Sequence, residues 1–211
     1  MEVKCFELNC NCYIVSDDDN NCVVFDIGAS GRELYEYLVE HNLKVCAVFI
    51  THAHFDHIAG LSEFTERAEQ DGNIIPVYVH KDDLVAMSNA DKNLSSPIFR
   101  TPYRYTGARN EVGDGDVIKT AGFDFKVMSC PGHTDGCAVY ILEKEKCIFA
   151  GDVLFEGSIG RTDFPGGDVG KMKESLTKLM TLPDSFVVYS GHGNSTTIGD
   201  ERNYNPYIAG L

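Results

Sequence analysis

The stretch Thr51-His52-Ala53-His54-Phe55-Asp56-His57 concentrates three imidazoles and a carboxylate in six positions. It follows the apolar run 45–50, which is typical of a buried strand, so it begins at the carboxyl end of that strand, where sites usually form. A packed core gains nothing from so many polar side chains, whereas imidazole nitrogens and carboxylate oxygens suit zinc, iron and manganese. The stretch therefore predicts a metal site.

The spacing within this stretch bears on the number of metal ions. His52 and His54 alternate along the chain, so both can point to one side of an extended segment. Asp56 and His57 are adjacent and must diverge unless the backbone turns there. This arrangement favours two neighbouring metal positions over one.

Three further donors lie downstream, at His133, Asp152 and His192. Each follows a predicted strand, and each lies next to a glycine, which lets the backbone approach a crowded site. Four such places in one chain are a much stronger indication of a metal site than the first cluster alone.

The run H-x-H-x-D-H, with a downstream Gly-His-Thr, Gly-Asp and Gly-His, resembles the metallo-β-lactamase superfamily, and the resemblance extends from Asn11 to Pro206. It implies an α+β fold, a four-layer αββα sandwich of two mixed β-sheets flanked by helices, with the metals at one edge. Within that superfamily, the motifs at 151–155, 160–164 and 191–199 look similar to glyoxalase II and its short bacterial relatives. Asp152 stands where the best-known zinc β-lactamases carry Cys, which argues against lactam hydrolysis.

The resemblance implies seven metal ligands, three for each of two ions and one shared between them. They are His52, His54 and His133 for the first ion, Asp56, His57 and His192 for the second, and Asp152 as the shared ligand. These nitrogen and oxygen donors leave each ion an open position, as a catalytic site requires. We expect two divalent ions, zinc ahead of iron or manganese.

The remaining polar residues around these motifs have simpler expected roles. Asp26, at the end of a predicted strand, either orients a ligand histidine or caps a turn. His41 and His80 lie outside the ligand set and are expected to be solvated. Arg161 lies in the motif 160–164, where it either braces the loop holding Asp152 or contacts substrate, and bracing is the first expectation.

Together, the ligands and the resemblance predict a binuclear metal-dependent hydrolase. We expect a thioesterase that cleaves S-acylglutathione-type or related thioesters by attack of a metal-bridging hydroxide, with Asp56 steering the hydroxide. A thiolate leaves without a dedicated protein acid, because the unperturbed pKa of a thiol is roughly 8.5.

Substrate recognition is indicated by one stretch of unusual charge. Between residues 92 and 109 the chain has four basic residues and no acidic one, although its net charge is −14. Arg100 and Arg104 in this stretch are candidates for binding an anionic thiol conjugate; alternatively, the stretch is a surface loop whose charges pair with acidic neighbours. We expect a single domain over residues 1–211, without the C-terminal helical region that holds glutathione in full-length glyoxalase II.

Other functions share the same motifs. A persulfide dioxygenase resembles this chain but uses one iron held by two His and one Asp, here His52 or a neighbouring histidine, His133 and Asp152. The hydrolase is favoured because 154–159 is closer to the hydrolase relatives and because 191–193 preserves a loop for a second metal. An acyl-homoserine lactonase ranks third, and a metal-binding protein without activity ranks last.

Composition and charge narrow the class of protein. A chain of 211 residues that is 43% hydrophobic and 24% charged is typical of one folded domain. The net charge of −14 opposes a nucleic-acid partner. The longest apolar run, about six residues, is far below the roughly 20 needed to cross a bilayer. With no signal-peptide pattern at the N-terminus, we expect a cytoplasmic protein with reduced cysteines, a monomer or homodimer that acts on a small acyl thioester.

Hydrophobic periodicity predicts interleaved strands and helices. Helices are predicted at 32–40, 58–70 and 168–180, and the segment 81–109 is mixed. Strands are predicted at 3–8, 13–15, 22–26, 45–50, 77–79, 116–119, 123–128, 138–142, 147–150 and 186–189.

Overall fold

The computed structural model describes residues 1–211. The first of its two large sheets contains strands from the N-terminal half of the chain, in sequence order. These are β1 (Glu2–Leu8), β2 (Cys10–Ser16), β3 (Asn21–Phe25), β4 (Lys44–Phe49), β5 (Val77–His80) and β6 (Asn110–Val112). Strands β1 to β3 form an antiparallel meander, and β3 to β6 run parallel, so the sheet is mixed.

The second sheet is built from the C-terminal half. Its strands are β7 (Val117–Thr120), β8 (Phe123–Ser129), β9 (Ala138–Leu142), β10 (Cys147–Gly151), β13 (Val187–Ser190) and β14 (Thr196–Thr197). Only β10 and β13 pair in parallel. A small hairpin of β11 (Leu154–Phe155) and β12 (Ser158–Ile159) follows β10.

Helices cover the outer faces of both sheets. They are α1 (Gly31–Glu40), α2 (Phe55–Ile58), α3 (Leu61–Gln70), α4 (Leu84–Met87), α5 (Val169–Leu179) and α6 (Ile198–Tyr204). Apolar residues of α1 and α3 pack on the first sheet, and those of α5 and α6 pack on the second. A third apolar cluster lies between the sheets, where the ring of Phe25 stacks 3.9 Å from that of Phe149. The predicted αββα sandwich is confirmed.

The helix predicted at 58–70 is wrong at its beginning. The chain forms two helices there, α2 and α3, separated near Gly60. The amide of Gly60 donates to the carbonyl of Ile27 at 2.8 Å, and the amide of Ile27 donates to the carbonyl of His57 at 2.8 Å. These bonds fix the break between α2 and α3 to the segment after β3.

The sequence patterns did not predict several short elements. The mixed segment 81–109 contains a 3₁₀ turn, Lys81–Asp83, then α4 and a run of turns. Strand β6 and helix α6 were not predicted, because neither has a long enough apolar repeat. No helix in the chain combines the length and the apolarity that a membrane crossing requires.

Candidate metal centre

The seven predicted donors converge on one edge of the sandwich. His52 and His54 lie in the loop after β4, and Asp56 and His57 lie in the short helix α2 that ends this loop. The other three donors come from the second sheet: His133 from the β8–β9 loop, Asp152 directly after β10, and His192 two residues after β13. Both sheets therefore contribute to the centre.

Three of the histidines form a first group: His52, His54 and His133. One nitrogen of each lies within 4.8 Å of the others. All three residues are buried, with exposed fractions of 1%, 4% and 3%. The Nε2 atom of His52 lies 3.1 Å from Nδ1 of His54.

The second group, Asp56, His57 and His192, meets the same distance limit. His192 Nε2 lies 3.3 Å from Asp56 Oδ2. His57 is fully enclosed, but the side chains of His192 and Asp56 are 40% and 22% exposed. This group therefore opens toward solvent, unlike the first.

Asp152 lies between the two groups. Its Oδ2 is 3.5 Å from Nε2 of His133 and 3.7 Å from Nε2 of His192, and its Oδ1 is 3.3 Å from Nε2 of His57. One carboxylate thus faces donors from both groups, which is the arrangement that a bridging ligand requires.

Four atoms at the heart of the centre are buried without a hydrogen-bond partner: Nε2 of His54, His57 and His133, and Oδ1 of Asp152. Leaving a buried polar atom unpaired costs about 1–3 kcal/mol, so native proteins rarely leave four such atoms together. Imidazole nitrogen and carboxylate oxygen are the donors that divalent transition metals accept. The residues fit a metal centre.

Asp26 supports the centre from behind. It accepts hydrogen bonds from the amide of Thr51 at 2.8 Å and from its hydroxyl at 2.7 Å, and it lies 2.8 Å from Nδ1 of His57. Of the two roles expected for Asp26, orienting a histidine is the one that this geometry matches. Its backbone φ of 52° is uncommon for a residue other than glycine and is the kind of local strain found near functional sites.

A second supporting carboxylate, Asp83, was missed by the sequence analysis. It is buried and accepts from the amide of Ala53 at 2.8 Å, the hydroxyl of Thr134 at 3.0 Å and the amide of Gly136 at 3.0 Å. Asp83 therefore ties the loop that carries His52 and His54 to the loop that carries His133. Nothing in the run Lys81-Asp82-Asp83 distinguishes it from its exposed neighbour.

Glycine is required where the centre is most crowded. A Cβ atom at Gly191 would lie 2.2 Å from Oδ1 of Asp152 and 2.8 Å from the ring of His57. Gly151 has a φ of +50°, and a Cβ there would lie 2.4 Å from the hydroxyl of Thr51. These positions explain why glycine precedes both Asp152 and His192.

Protonation differs between the two groups. Burial lowers the pKa of His52 well below its ordinary value and the pKa of His54 to about 3. In contrast, the hydrogen bond with Asp56 raises the pKa of His192. Burial alone would raise the pKa of Asp152, but the surrounding imidazoles, that of His57 first, hold it below its ordinary value.

A cavity of about 280 Å³ opens onto the donors. Of the predicted substrate residues, only Arg161 lines it, whereas Arg100 and Arg104 are exposed and do not. The carbonyl of Arg161 accepts from Nδ1 of His133 at 2.8 Å, so this residue braces a donor through its backbone. Its guanidinium pairs with the carboxylate of Asp163.

The two remaining histidines differ in environment. His41 is exposed, as expected, and its ring stacks on Tyr37. The expectation that His80 is solvated is wrong, because it is only 3% exposed and its Nε2 lies 2.6 Å from the hydroxyl of Ser129. The second sheet covers the end of β5, which a pattern of neighbouring residues does not reveal.

Comparison with known sequences identifies relatives along nearly the whole chain. The sequence model of the Metallo-beta-lactamase superfamily matches residues 5–192. The probable metallo-hydrolase YqgX of Bacillus subtilis is 35% identical, over 97% of this chain and 94% of its own. The hydroxyacylglutathione hydrolase GloC of Haemophilus influenzae is 31% identical, over 94% of this chain and 92% of its own.

Solved structures share the fold closely. A structure described as BLEG-1 B3 metallo-beta-lactamase superimposes with a TM-score of 0.89 at 33% identity, covering 98% of this chain and 99% of its own. TTHA1623 in a di-iron-bound form gives 0.84 at 30% identity, with coverage of 98% and 100%. ETHE1 from Myxococcus xanthus gives 0.79 at 28% identity, with coverage of 100% and 85%.

Proposed function

The chain belongs to the metallo-β-lactamase superfamily, and from this we propose that it is a two-metal thioesterase. The observation that carries the proposal is the position of Asp152, whose two oxygens face donors of both groups. The relative GloC, described as a hydroxyacylglutathione hydrolase, supports a thioester substrate.

In this proposal the first group holds one divalent ion, the second group holds another, and Asp152 is shared. Such a pair of ions polarises a carbonyl and lowers the pKa of a bound water from about 15.7 to roughly 7. The iron in the related TTHA1623 structure makes iron as well as zinc a metal to test.

Asp56 is placed to act on the attacking water. It lines the cavity beside His192, and burial, which would raise its pKa, is outweighed by the hydrogen bond with His192, so its pKa lies below the ordinary value. An ionised Asp56 accepts a hydrogen bond from the attacking hydroxide and so orients its oxygen toward the acyl carbon, to which that oxygen bonds. The C–S bond then breaks with its electron pair on sulfur.

The cavity favours a leaving group that needs no proton. With the histidines assigned to metals, its acidic side chains are Asp56 and Asp152, and both have lowered pKa values. Neither carries a proton to donate near neutral pH. A thiolate leaves readily as an anion, whereas an amine or an alkoxide does so with more difficulty.

The direct test is hydrolysis of S-lactoylglutathione by protein reconstituted with zinc, and separately with iron, followed by loss of thioester absorbance. Turnover that disappears in a His54→Ala variant of equal fold content supports the proposal. No turnover of this or any other S-acylglutathione with either metal, or full turnover in His54→Ala, contradicts it.

A second candidate is a mononuclear iron persulfide dioxygenase. His133 and Asp152, 3.5 Å apart, together with a histidine of the 52–54 loop, supply the two imidazoles and one carboxylate that such iron sites use. The hydrolase is favoured because Asp56, His57 and His192 add a complete second set. Oxygen uptake by iron-loaded protein supplied with glutathione persulfide would reverse this order.

The proposal extends to the location, oligomeric state and partners of the protein. We expect a cytoplasmic enzyme, monomeric or homodimeric, that folds as one domain and acts on a small molecule. Its net charge of −14 makes a nucleic-acid partner unfavourable. Gel filtration of the purified protein distinguishes monomer from dimer.

A further inference from the structure

The wall of the cavity beside the donors is apolar. Apart from the donors and Gly160, its lining consists of one arginine and five apolar side chains, which are Leu94, Ile98, Phe99, Phe155 and Phe164. A volume of about 280 Å³ is near the lower end for small-molecule pockets. The cavity therefore suits a small group with an apolar surface.

Two of these side chains are unusually exposed. Ile98 is 46% exposed and Phe99 is 42% exposed, although both are large and apolar. The ring of Phe99 lies 5.0 Å from that of Phe55, which directly precedes Asp56 in α2. Exposed apolar side chains gathered at the mouth of a catalytic cavity are typical of a binding surface.

The cavity offers no unpaired basic side chain. Arg161 is its only lysine or arginine, and its guanidinium makes two hydrogen bonds of 2.7 Å to the carboxylate of Asp163. The same guanidinium lies 3.8 Å from the ring centre of Phe164. An anionic group on the substrate would find no free side-chain partner in the cavity.

Phe164 also indicates which part of the substrate lies against this wall. Its ring lies 6.0 Å from the ring of His54, so it borders the first group of donors. In the proposed function, His52, His54 and His133 would hold the ion that polarises the carbonyl, and the acyl group is the part of the substrate attached to that carbon. Arg100 and Arg104 lie outside the lining, where a charged thiol carrier can reach them from solvent.

We propose that the acyl group cleaved by this enzyme is apolar, a short aliphatic or aromatic chain, and that Ile98, Phe99 and Phe164 determine this specificity. The inference rests on the thioesterase function proposed above and names its substrate class. A hydroxylated acyl group such as lactoyl would leave its hydroxyl against apolar side chains.

The test is a series of acyl groups on one carrier, glutathione, with metal-loaded enzyme: lactoyl, acetyl, butanoyl and hexanoyl. We expect kcat/KM to rise roughly threefold to fourfold per added methylene up to the length of the cavity. Lactoylglutathione hydrolysed as well as or better than the hexanoyl thioester overturns the inference but leaves the proposed function intact. No hydrolysis of any member overturns both.

Variants of the exposed side chains at the cavity mouth test which residues produce the preference for longer acyl groups. Ile98→Ser and Phe99→Ser change half-exposed positions, and each is expected to reduce the hexanoyl-over-acetyl ratio of kcat/KM roughly tenfold. Ile74→Ser, at an apolar residue that is 85% exposed and outside the cavity, is the matched control and should leave the ratio unchanged. A ratio unaffected by both mouth variants contradicts the assignment of these residues.

Discussion

The two groups of donors differ in how deeply the protein encloses them. Every residue of the first group is at most 4% exposed, whereas the His192 side chain in the second group is 40% exposed. The first group is held by one loop from each sheet, and Asp83 is bonded to both of these loops. The second depends on a short helix and on the loop after β13.

The two groups also differ in the pKa values of their histidines. Burial keeps His52 and His54 neutral, while the pKa of His192 is raised by its bond to Asp56. Burial alone would lower the pKa of His57, but Cys10, Asp152 and Asp26 raise it well above its ordinary value. A metal ion therefore meets less competition from protons at His52 and His54 than at His57 and His192, and we expect the first group to load first.

The largest effect should come from removing a donor of the first group. We expect His54→Ala to lower kcat/KM more than about 100-fold, because changes merely behind metal ligands already cost 10–100-fold. His192→Ala should lose less, and excess metal should partly restore its activity. Activity and bound metal measured against free zinc test this; equal losses that metal does not restore would remove the distinction between the groups. The exposed His41→Ala is the control.

The next largest effect should come from Asp83→Asn. The NH2 group of the asparagine side chain cannot accept a hydrogen bond, so either the backbone N–H of Ala53 or that of Gly136 loses its acceptor. We expect the two loops that carry the first group to loosen as a result. We expect metal affinity in the first group to fall roughly 10–100-fold. Competition with a chromophoric chelator measures it, with Asp82→Asn as the control. Unchanged affinity in a folded Asp83→Asn protein would show that the first group does not depend on this carboxylate.

Acidification should separate the groups without a mutation. Metal binding needs unprotonated imidazole, and below the raised pKa of His192 each ion must displace a proton from the second group. His54, with a pKa of about 3, stays neutral throughout. From pH 7.5 to 6.0 the weaker site should therefore lose affinity by up to about tenfold per pH unit for each proton displaced, and the tighter site much less. Calorimetric titration with zinc at both pH values measures this; parallel losses would contradict it.

The smallest effect should come from Arg100 and Arg104, which do not line the cavity. The double variant Arg100→Glu, Arg104→Glu should raise KM for an S-acylglutathione roughly threefold, since exposed charge pairs contribute about 0.2–1 kcal/mol each. KM for the same acyl group on a neutral carrier should not change. The double variant Lys119→Glu, Lys173→Glu makes the same change in net charge elsewhere. An equal rise in both double variants would indicate a general charge effect rather than a local contact.

The donors could be predicted from the sequence because local patterns carry them. His52, Asp152 and His192 each come shortly after a strand, and strand ends of both sheets meet at one edge. The division of the donors into two groups came from the family resemblance and stays a prediction: the donor atoms of each group lie within 4.8 Å of one another, but so do those of His52, His57 and Asp152.

The supporting residues could not be predicted in the same way, because their roles depend on contacts between distant segments. Asp83 accepts hydrogen bonds from Ala53 and Gly136, which are 30 and 53 positions away in the sequence. His80 contacts Ser129, which is 49 positions away. The break at Gly60 likewise depends on a bond to Ile27. The apolar cavity wall was missed because Ile98 and Phe99 lie in a run of turns without periodicity.

The division of the chain between the sheets has a consequence for assembly. The first sheet uses only residues 2–112 and the second only residues 117–197, joined through the turn that contains Gly113 and Asp116. Four donors belong to the first part and three to the second, so neither part alone holds a complete set for both ions. If the chain were cut at this turn, metal binding should strengthen the reassociation of the two fragments. Recovery of hydrolysis would show that the fragments had reassociated.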